Sequence, residues 1–258
     1  MDVKILDEKN GKLVLKIEGI EPAFANVIRR TIMSDIPVMA VDFIDMEKNN
    51  SAFFDEALAH RIAMIPLKFP NTYNLREECS CDGKGCSNCE VVLVIDKKGP
   101  CVVKAGDLKT IDELVTPADP EIPITYLDEK QSLKLEATAI LGFGTNHSKW
   151  QAAVVGYRMA PVIKVDADKV KNKKATADSC PKKVYDSGLK IVNKDACNLC
   201  MRCVEISQDG IKVSANPSSY IFTIESVCGL DNKTLINRGL DRIQEKAELF
   251  LKVAGKDL

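Results

Sequence analysis

The apolar positions change period along the chain, and the changes mark its elements. Val3–Leu6 and Leu13–Ile17 are short apolar runs on either side of Asn10-Gly11, which predicts a β-hairpin. Pro22 suits a first helical turn, and Phe24, Ile28 and Ile32 then recur at helical spacing until Pro37 ends the pattern. A second helix is predicted from Ser51, as N-cap, to about Met64, with Phe54, Leu58, Ile62 and Ile65 as its stripe and Pro66 as its stop. From Val91 the pattern turns to strands. Val91–Ile95 reads as a short buried run, and Leu133, Leu135, Ala137, Ala139 and Leu141 alternate with Lys134, Glu136 and Thr138. Val154–Val165 reads as a further strand. Asp166–Ala177 is polar and lysine-rich and reads as a linker, and Tyr220, Phe222 and Ile224 resume strand alternation. The last helix begins at Asp231. Ile236, Leu240, Ile243, Ala247, Phe250 and Ala254 form a heptad-like seam, widened by Leu235, Leu249, Leu251 and Val253. Such a helix either fills the core of its own chain or packs against a partner subunit.

The 258 residues are 45% apolar and 28% charged, which suits one or two globular domains with a sizeable core. A net charge of −1 gives no global electrostatic attraction for nucleic acid or an anionic membrane. No apolar run reaches the ~20 residues of a membrane span. The stretch from Met1 to Gly11 lacks an apolar signal segment, so a cytoplasmic location is expected. In that setting ten cysteines read as metal ligands rather than disulfides. Eight fall into two groups of four. Cys101 and Cys228 are left over and read as buried small apolar residues.

Cys180-Pro181 together with Cys197, Cys200 and Cys203 makes half of a two-cluster ferredoxin pattern, in which the Cys-Pro of one run closes the other run's cluster. The complementary ligands would fall at Val170, Lys173, Thr176 and Ser207, and all four are lost. The expectation is one [4Fe–4S] cluster on Cys180, Cys197, Cys200 and Cys203, or a three-iron cluster if Cys180 does not ligate. Four thiolates also suit a structural zinc ion, and spacing alone leaves that alternative open. Cys79, Cys81, Cys86 and Cys89, with Gly83 and Gly85 between them, form a compact loop suited to structural zinc; an empty thiol loop or a disulfide is the alternative.

Other chemistry is missing. There is no phosphate-binding G-x-x-x-x-G-K-[ST], no G-x-S-x-G elbow and no nicotinamide or flavin fingerprint. His60 and His147 do not pair in sequence. Asp42 and Asp45 read as outward-facing residues of a strand. A cluster without a second redox centre favours a structural or redox-sensing role over relay. A ferredoxin-type electron-transfer protein remains the competing class. A nucleic-acid-binding module would need a basic surface with interleaved aromatics, and aromatics are 5%. The lysines Lys169, Lys171, Lys173, Lys174, Lys182 and Lys183 read as a solvated face.

Outside the cysteines, four segments carry a resemblance. They are Ala25-Asn26-Val27-Ile28-Arg29-Arg30-Thr31-Ile32-Met33-Ser34 with Ile36-Pro37; Asp55 to Leu67; Gly142-Phe143-Gly144 with His147-Ser148-Lys149-Trp150; and Phe222 to Ser226. Nearly the whole chain resembles the α-like subunits of multisubunit RNA polymerases, in the archaeal D form with a ferredoxin-like iron–sulfur insert. The resemblance implies an α+β fold with a discontinuous dimerisation domain (1–41 and 211–258), a mostly β second domain carrying the four-cysteine loop (42–155), and a ferredoxin-like domain (156–210). It implies a non-catalytic assembly platform of a DNA-directed RNA polymerase, with no catalytic residues of its own. Its partners would be a small subunit L in a heterodimer, then the large and other small subunits, with neither direct DNA binding nor membrane attachment. Interface residues would be Phe24, Ile28, Arg29, Arg30, Ile32, Phe222, Ile236, Leu240, Ile243 and Phe250, with Arg29 and Arg30 docking a large subunit. Eukaryotic relatives bind zinc at a similar four-cysteine loop; here the inner cysteines are more widely spaced.

Overall fold

A computed structural model describes residues 1–9 and 11–255; Asn10 of the expected hairpin turn lies outside the described residues. In chain order the elements are β1 (Asp2–Lys9), β2 (Lys12–Glu18), α1 (Pro22–Ser34), β3 (Val38–Asn49), α2 (Asp55–Ala63), β4 (Leu67–Lys68), β5 (Glu90–Lys98), β6 (Cys101–Lys104), β7 (Lys109–Thr110), β8 (Thr116–Pro117), β9 (Pro123–Leu127), β10 (Ser132–Gly142), β11 (Ala153–Val165), α3 (Lys173–Asp178), α4 (Arg202–Ser207), β12 (Ile211–Ser226) and α5 (Asn232–Ala254). The fold is mixed α/β and rich in sheet. It divides into two compact units, 1–29 with 155–224, and 30–154 with 225–258.

The first unit is organised by a four-stranded sheet in the order β1-β2-β12-β11. Leu13, Leu15 and Ile17 of β2 are buried, and so are Tyr220, Phe222 and Ile224 of β12; Ile221 between them is buried as well, so the expected alternation gives way to a stretch covered on both faces. Tyr157 of β11 packs its ring against Tyr220 and Phe222 at centroid distances of 5.6 and 5.3 Å. β1 lies at the edge, and its Val3 and Ile5 are exposed. The same two long strands run on into a second small core, where Ile163 and Ile211 pack with Val170, Ala177, Val184, Tyr185, Leu189, Cys197 and Cys203. Asp166–Ala177 is therefore not a linker. Val170, Thr176 and Ala177 are buried, Asn172 caps α3 by accepting from Ala175 N–H at 3.0 Å, and the lysines face solvent. β12 likewise starts at Ile211, nine residues before the expected strand, because Ile211 already belongs to this core.

The second unit is built on the sheet β3-β10-β5-β7, with β10 antiparallel to both β3 and β5. The alternation along β10 buries Leu133, Leu135, Ala137 and Ala139 as expected. β5 also alternates: Leu93 and Ile95 are buried but Val92 is exposed, so this strand is covered on one face only. α2 is shorter than expected. Ser51 is held in a turn by Asn49, Phe54 stands at the N-cap without a side-chain cap, and the Phe54 ring is 81% exposed, while Leu58, Ile62 and Ile65 fill the core. α5 starts at a true cap, since Asp231 accepts from the N–H groups of Lys233 and Thr234 at 3.0 Å. Leu235 is buried, and at Gly239 a side chain would meet Ile32 of α1, so the small residue lets the two helices close up.

Gly142 is the tightest fit around Trp150. A Cβ there would lie 2.4 Å from two atoms of the Trp150 ring, which is buried with Ala40 and Ile140 and donates its Nε1–H to the Ile140 carbonyl at 3.3 Å. Gly142→Ala is expected to lower stability by about 1–3 kcal/mol, the usual cost of overpacking. Denaturant unfolding measures it, and an unchanged midpoint would contradict the packing described here.

Candidate metal centres

The loop between a short 3-10 turn (Arg76–Glu78) and β5 gathers four thiols. Cys79 and Cys86 sulfurs are 3.5 Å apart, Cys81 and Cys89 are 3.7 Å apart, and Cys86 and Cys89 are 3.8 Å apart. A zinc ion with Zn–S bonds of about 2.3 Å in a regular tetrahedron sets its sulfurs about 3.8 Å apart. Three of the six sulfur separations therefore already match the cage of one tetrahedral ion, and all four thiols lie within 4.8 Å of one another, despite the wider inner spacing. The backbone makes it possible. Asp82, Gly83 and Gly85 take positive φ, and a side chain on Gly85 would collide with the Glu90 carboxylate. Arg76 clamps the loop by donating Nε–H to the Gly83 carbonyl at 3.0 Å and pairing with Glu90 at 3.7 Å.

The thiols here ionise at very different pH. Burial pushes Cys89 up to about 12, with the neighbouring thiols adding to the effect. Burial also raises Cys81, but the Gly85 N–H and the other three thiols outweigh it and bring Cys81 down to about 7. A cation is what would let all four become thiolates together.

The second group is built differently. Cys180 follows α3, Cys197 and Cys200 lie in the loop before α4, and Cys203 lies in its first turn. With Val184, Tyr185, Asn198, Met201 and Val213 they line one pocket. Among the described residues, only the Cys79–Cys89 group has all its thiols within 4.8 Å of one another, and no two of these four pocket thiols come within hydrogen-bonding reach of each other. Leu199 and Met201 take left-handed backbone conformations. The Leu199 N–H works against burial at Cys197. Burial, followed by the charges of the other three thiols, pushes Cys197 up. Cys197 and Cys203 are buried, Cys180 is half-buried and Cys200 is exposed.

At the positions counted for a second cluster there is ordinary packing. Val170, Thr176 and Ser207 are buried, and Ser207 accepts from the Ile211 N–H at 3.0 Å; Lys173 faces solvent. Two residues near the pocket carried no sequence signal. Arg158 of β11 donates to the backbone carbonyls of Cys197, at 2.8 Å, and Asp195. Tyr185 sets its hydroxyl 3.5 Å from the Cys203 sulfur. An isolated arginine in a strand and a lone tyrosine five residues after Cys180 form no motif.

The remaining sequence candidates are dispersed. His147 accepts from the Lys149 N–H, His60 is exposed on α2, Asp45 is exposed, and Asp42 pairs with Lys149, so these groups do not converge. Cys101 and Cys228 are half-buried rather than buried. Ile28, Ile32 and Phe222 are buried within this chain, Phe24, Ile236 and Ile243 are half-buried, and Leu240 and Phe250 are exposed. Arg29 is half-buried, with its guanidinium on the Asn26 Oδ1, and Arg30 is exposed. No helix among the described residues is long and apolar enough to cross a membrane.

Residues 44–170 match the family described as the RNA polymerase Rpb3/RpoA insert domain. The chain is 36% identical over 263 residues to DNA-directed RNA polymerase subunit Rpo3 of Methanosarcina acetivorans, covering 98% of this chain and 97% of that protein. It is 34% identical to the subunit of the same name in Archaeoglobus fulgidus over 257 residues, covering 98% and 97%. With that of Thermococcus kodakarensis it shares 34% over 255 residues, covering 97% and 96%.

Cobalt(II) reads the loop directly. One equivalent bound by Cys79, Cys81, Cys86 and Cys89 is expected to give the absorption of a tetrahedral thiolate site. Cys89→Ser should abolish it, and acidification from about pH 8 to pH 5 should release it, because protons compete for the thiolates. Cobalt absorption that survives Cys89→Ser, with the other four thiols also replaced, would contradict the cage.

Proposed function

The chain belongs to the family of archaeal DNA-directed RNA polymerase subunit Rpo3, and from that premise we propose that it is a non-catalytic, cytoplasmic component of the polymerase that serves as its assembly platform. It pairs with a small partner, the L subunit, and the pair then recruits the large subunits, without direct contact to DNA. The relatives give no support to the alternative of a ferredoxin-type electron carrier. In this reading the dimerisation domain comprises 1–41 and 211–258, residues 42–155 carry the zinc loop, and 156–210 form the iron–sulfur domain. The sheet that sets β12 beside the N-terminal hairpin supports the discontinuous division.

One observation carries the proposal. α5 buries only Leu235 and Gly239 fully against its own chain and is held further along by Arg242 over the Phe143 ring and Lys246 on Asp35, whereas Leu240 is 45% and Phe250 70% exposed, and Leu249, Leu251 and Val253 are exposed beside them. An apolar surface of this size on a soluble subunit marks an interface. Ile236, Leu240, Ile243 and Phe250 line the seam offered to the partner helix. Exposed Arg30, with Arg29 behind it, offers directional donors to a large subunit.

Cys180, Cys197, Cys200 and Cys203 are the donor set for one [4Fe–4S] cluster. Thiols too widely set for one zinc ion and the apolar lining support it over zinc. A bound cluster would cross-link α3 to the loop before α4, in a module whose core is small. Its role is structural or redox-sensing, and the packed residues at Val170, Thr176 and Ser207 support a single centre rather than a relay. The Cys79–Cys89 loop holds structural zinc.

Co-expression with the small partner tests the platform. Leu240→Asp and Phe250→Asp are each expected to weaken the heterodimer by at least about 2 kcal/mol, roughly thirtyfold. The stability of the lone chain should change by no more than about 0.5 kcal/mol, because these side chains are exposed. Arg29→Ala with Arg30→Ala should leave the pair intact and weaken recruitment of the large subunits. A heterodimer unaffected by both aspartates would refute the proposed interface. For the cluster, anaerobically isolated chain should be brown and bleach with dithionite; a colourless, zinc-loaded Cys180–Cys203 set would refute it.

A further inference from the structure

Tyr185 is a buried tyrosine whose hydroxyl has, among the described residues, no hydrogen-bond partner except the Cys203 sulfur, 3.5 Å away. Buried phenols are normally paired, and here the pairing falls on a thiol that lines the four-cysteine pocket. The local chain is built to hold the ring there. Tyr185 bridges to Ile191 across a tight reversal, and Val192 N–H bonds the Val184 carbonyl at 2.9 Å. Asp186 closes that reversal by accepting from Gly188 N–H at 2.9 Å and Lys190 N–H at 2.8 Å. Val184, Leu189, Cys197 and Cys203 pack around the ring and leave its hydroxyl little freedom to turn elsewhere.

Resting on the iron–sulfur reading of this pocket, we propose that Tyr185 is a positioning residue for that centre: its O–H donates to the Cys203 thiolate and raises the reduction potential of the metal group Cys203 would hold. The argument is electrostatic. A ligating sulfur is a thiolate and can only accept, so the phenol is the donor. Adding one electron makes the ligated group more negative, and a fixed donor stabilises that form more than the oxidised one. Hydrogen bonds to the sulfurs are among the protein's main means of setting such potentials. Tyr185 is the donor that substitution can delete without touching a ligand.

The test uses the full chain, loaded anaerobically with ferrous iron and sulfide, and Tyr185→Phe treated identically. Potentials are read by dithionite titration, with iron and sulfide content measured on the same samples. Tyr185→Phe is expected to keep its iron and to become about tenfold harder to reduce, a shift of 59 mV to lower potential for one electron. Should Tyr185→Phe lose iron, fluorinated tyrosines at position 185, which keep the shape but donate more strongly, decide the matter: the potential must rise with phenol acidity. Equal potentials in loaded wild type and Tyr185→Phe, or a fluorotyrosine series that leaves the potential flat, would overturn this inference alone. Wild-type chain that takes up no iron would overturn the iron–sulfur reading with it.

Discussion

The burial of apolar surface on α5 is the constraint on which the rest of the second unit depends. The helix is fixed where its own chain can cover it. Asp231 caps it, Leu235 enters the core, and Gly239 lets it close on Ile32. Lys246 then pairs with Asp35 just past α1. Beyond Gly239 Ile243 is half-buried, but Leu240, Leu249, Phe250, Leu251 and Val253 stand exposed. At about 25 cal/mol per Å² of apolar surface removed from water, such a face represents several kcal/mol available to association. The charged residues keep to other faces: Arg242 pairs with Glu245, and Gln244 bonds Glu248. An assembly subunit needs this imbalance, because a helix satisfied within its own chain has little to offer a partner.

In the first unit the corresponding constraint is the length of β11 and β12. One stretch of these strands, at Tyr157, Tyr220 and Phe222, belongs to the hairpin sheet, and another, at Ile163 and Ile211, to the core of the thiol pocket. The cysteine module is thus continuous with the sheet. Arg158 makes the join tighter, since it sits on β11 and holds two carbonyls of the loop that carries Cys197. Two of the nine buried residues in that small core are thiols, Cys197 and Cys203, so whatever the thiols ligate contributes to the packing itself.

Much of this was legible in the sequence, and the failures have physical causes. The alternation of β10, the stripe of α2 and the cap of α5 were readable because period and cap chemistry are local. The Asp166–Ala177 stretch misled because its lysines outnumber the buried residues; α3 buries Thr176 and Ala177 while presenting charge. Ser51 looked like a helix start, but Asn49 captures it in a turn, a competition that spacing does not reveal. The cysteine ligand sets were plain from spacing, whereas the sulfur separations that distinguish a one-ion cage from an open pocket depend on loop backbone. Tyr185 and Arg158 reach the pocket by tertiary contact alone, which no local pattern encodes.

The most direct test of the platform is amide hydrogen exchange along α5, compared between the lone chain and the assembled polymerase. The first turns, around Leu235 and Gly239, should be protected in both states. The stretch from Leu240 to Ala254 should exchange readily in the lone chain and become strongly protected on assembly. Equal exchange of that stretch in both states would mean that no partner covers the helix, and the account would fail.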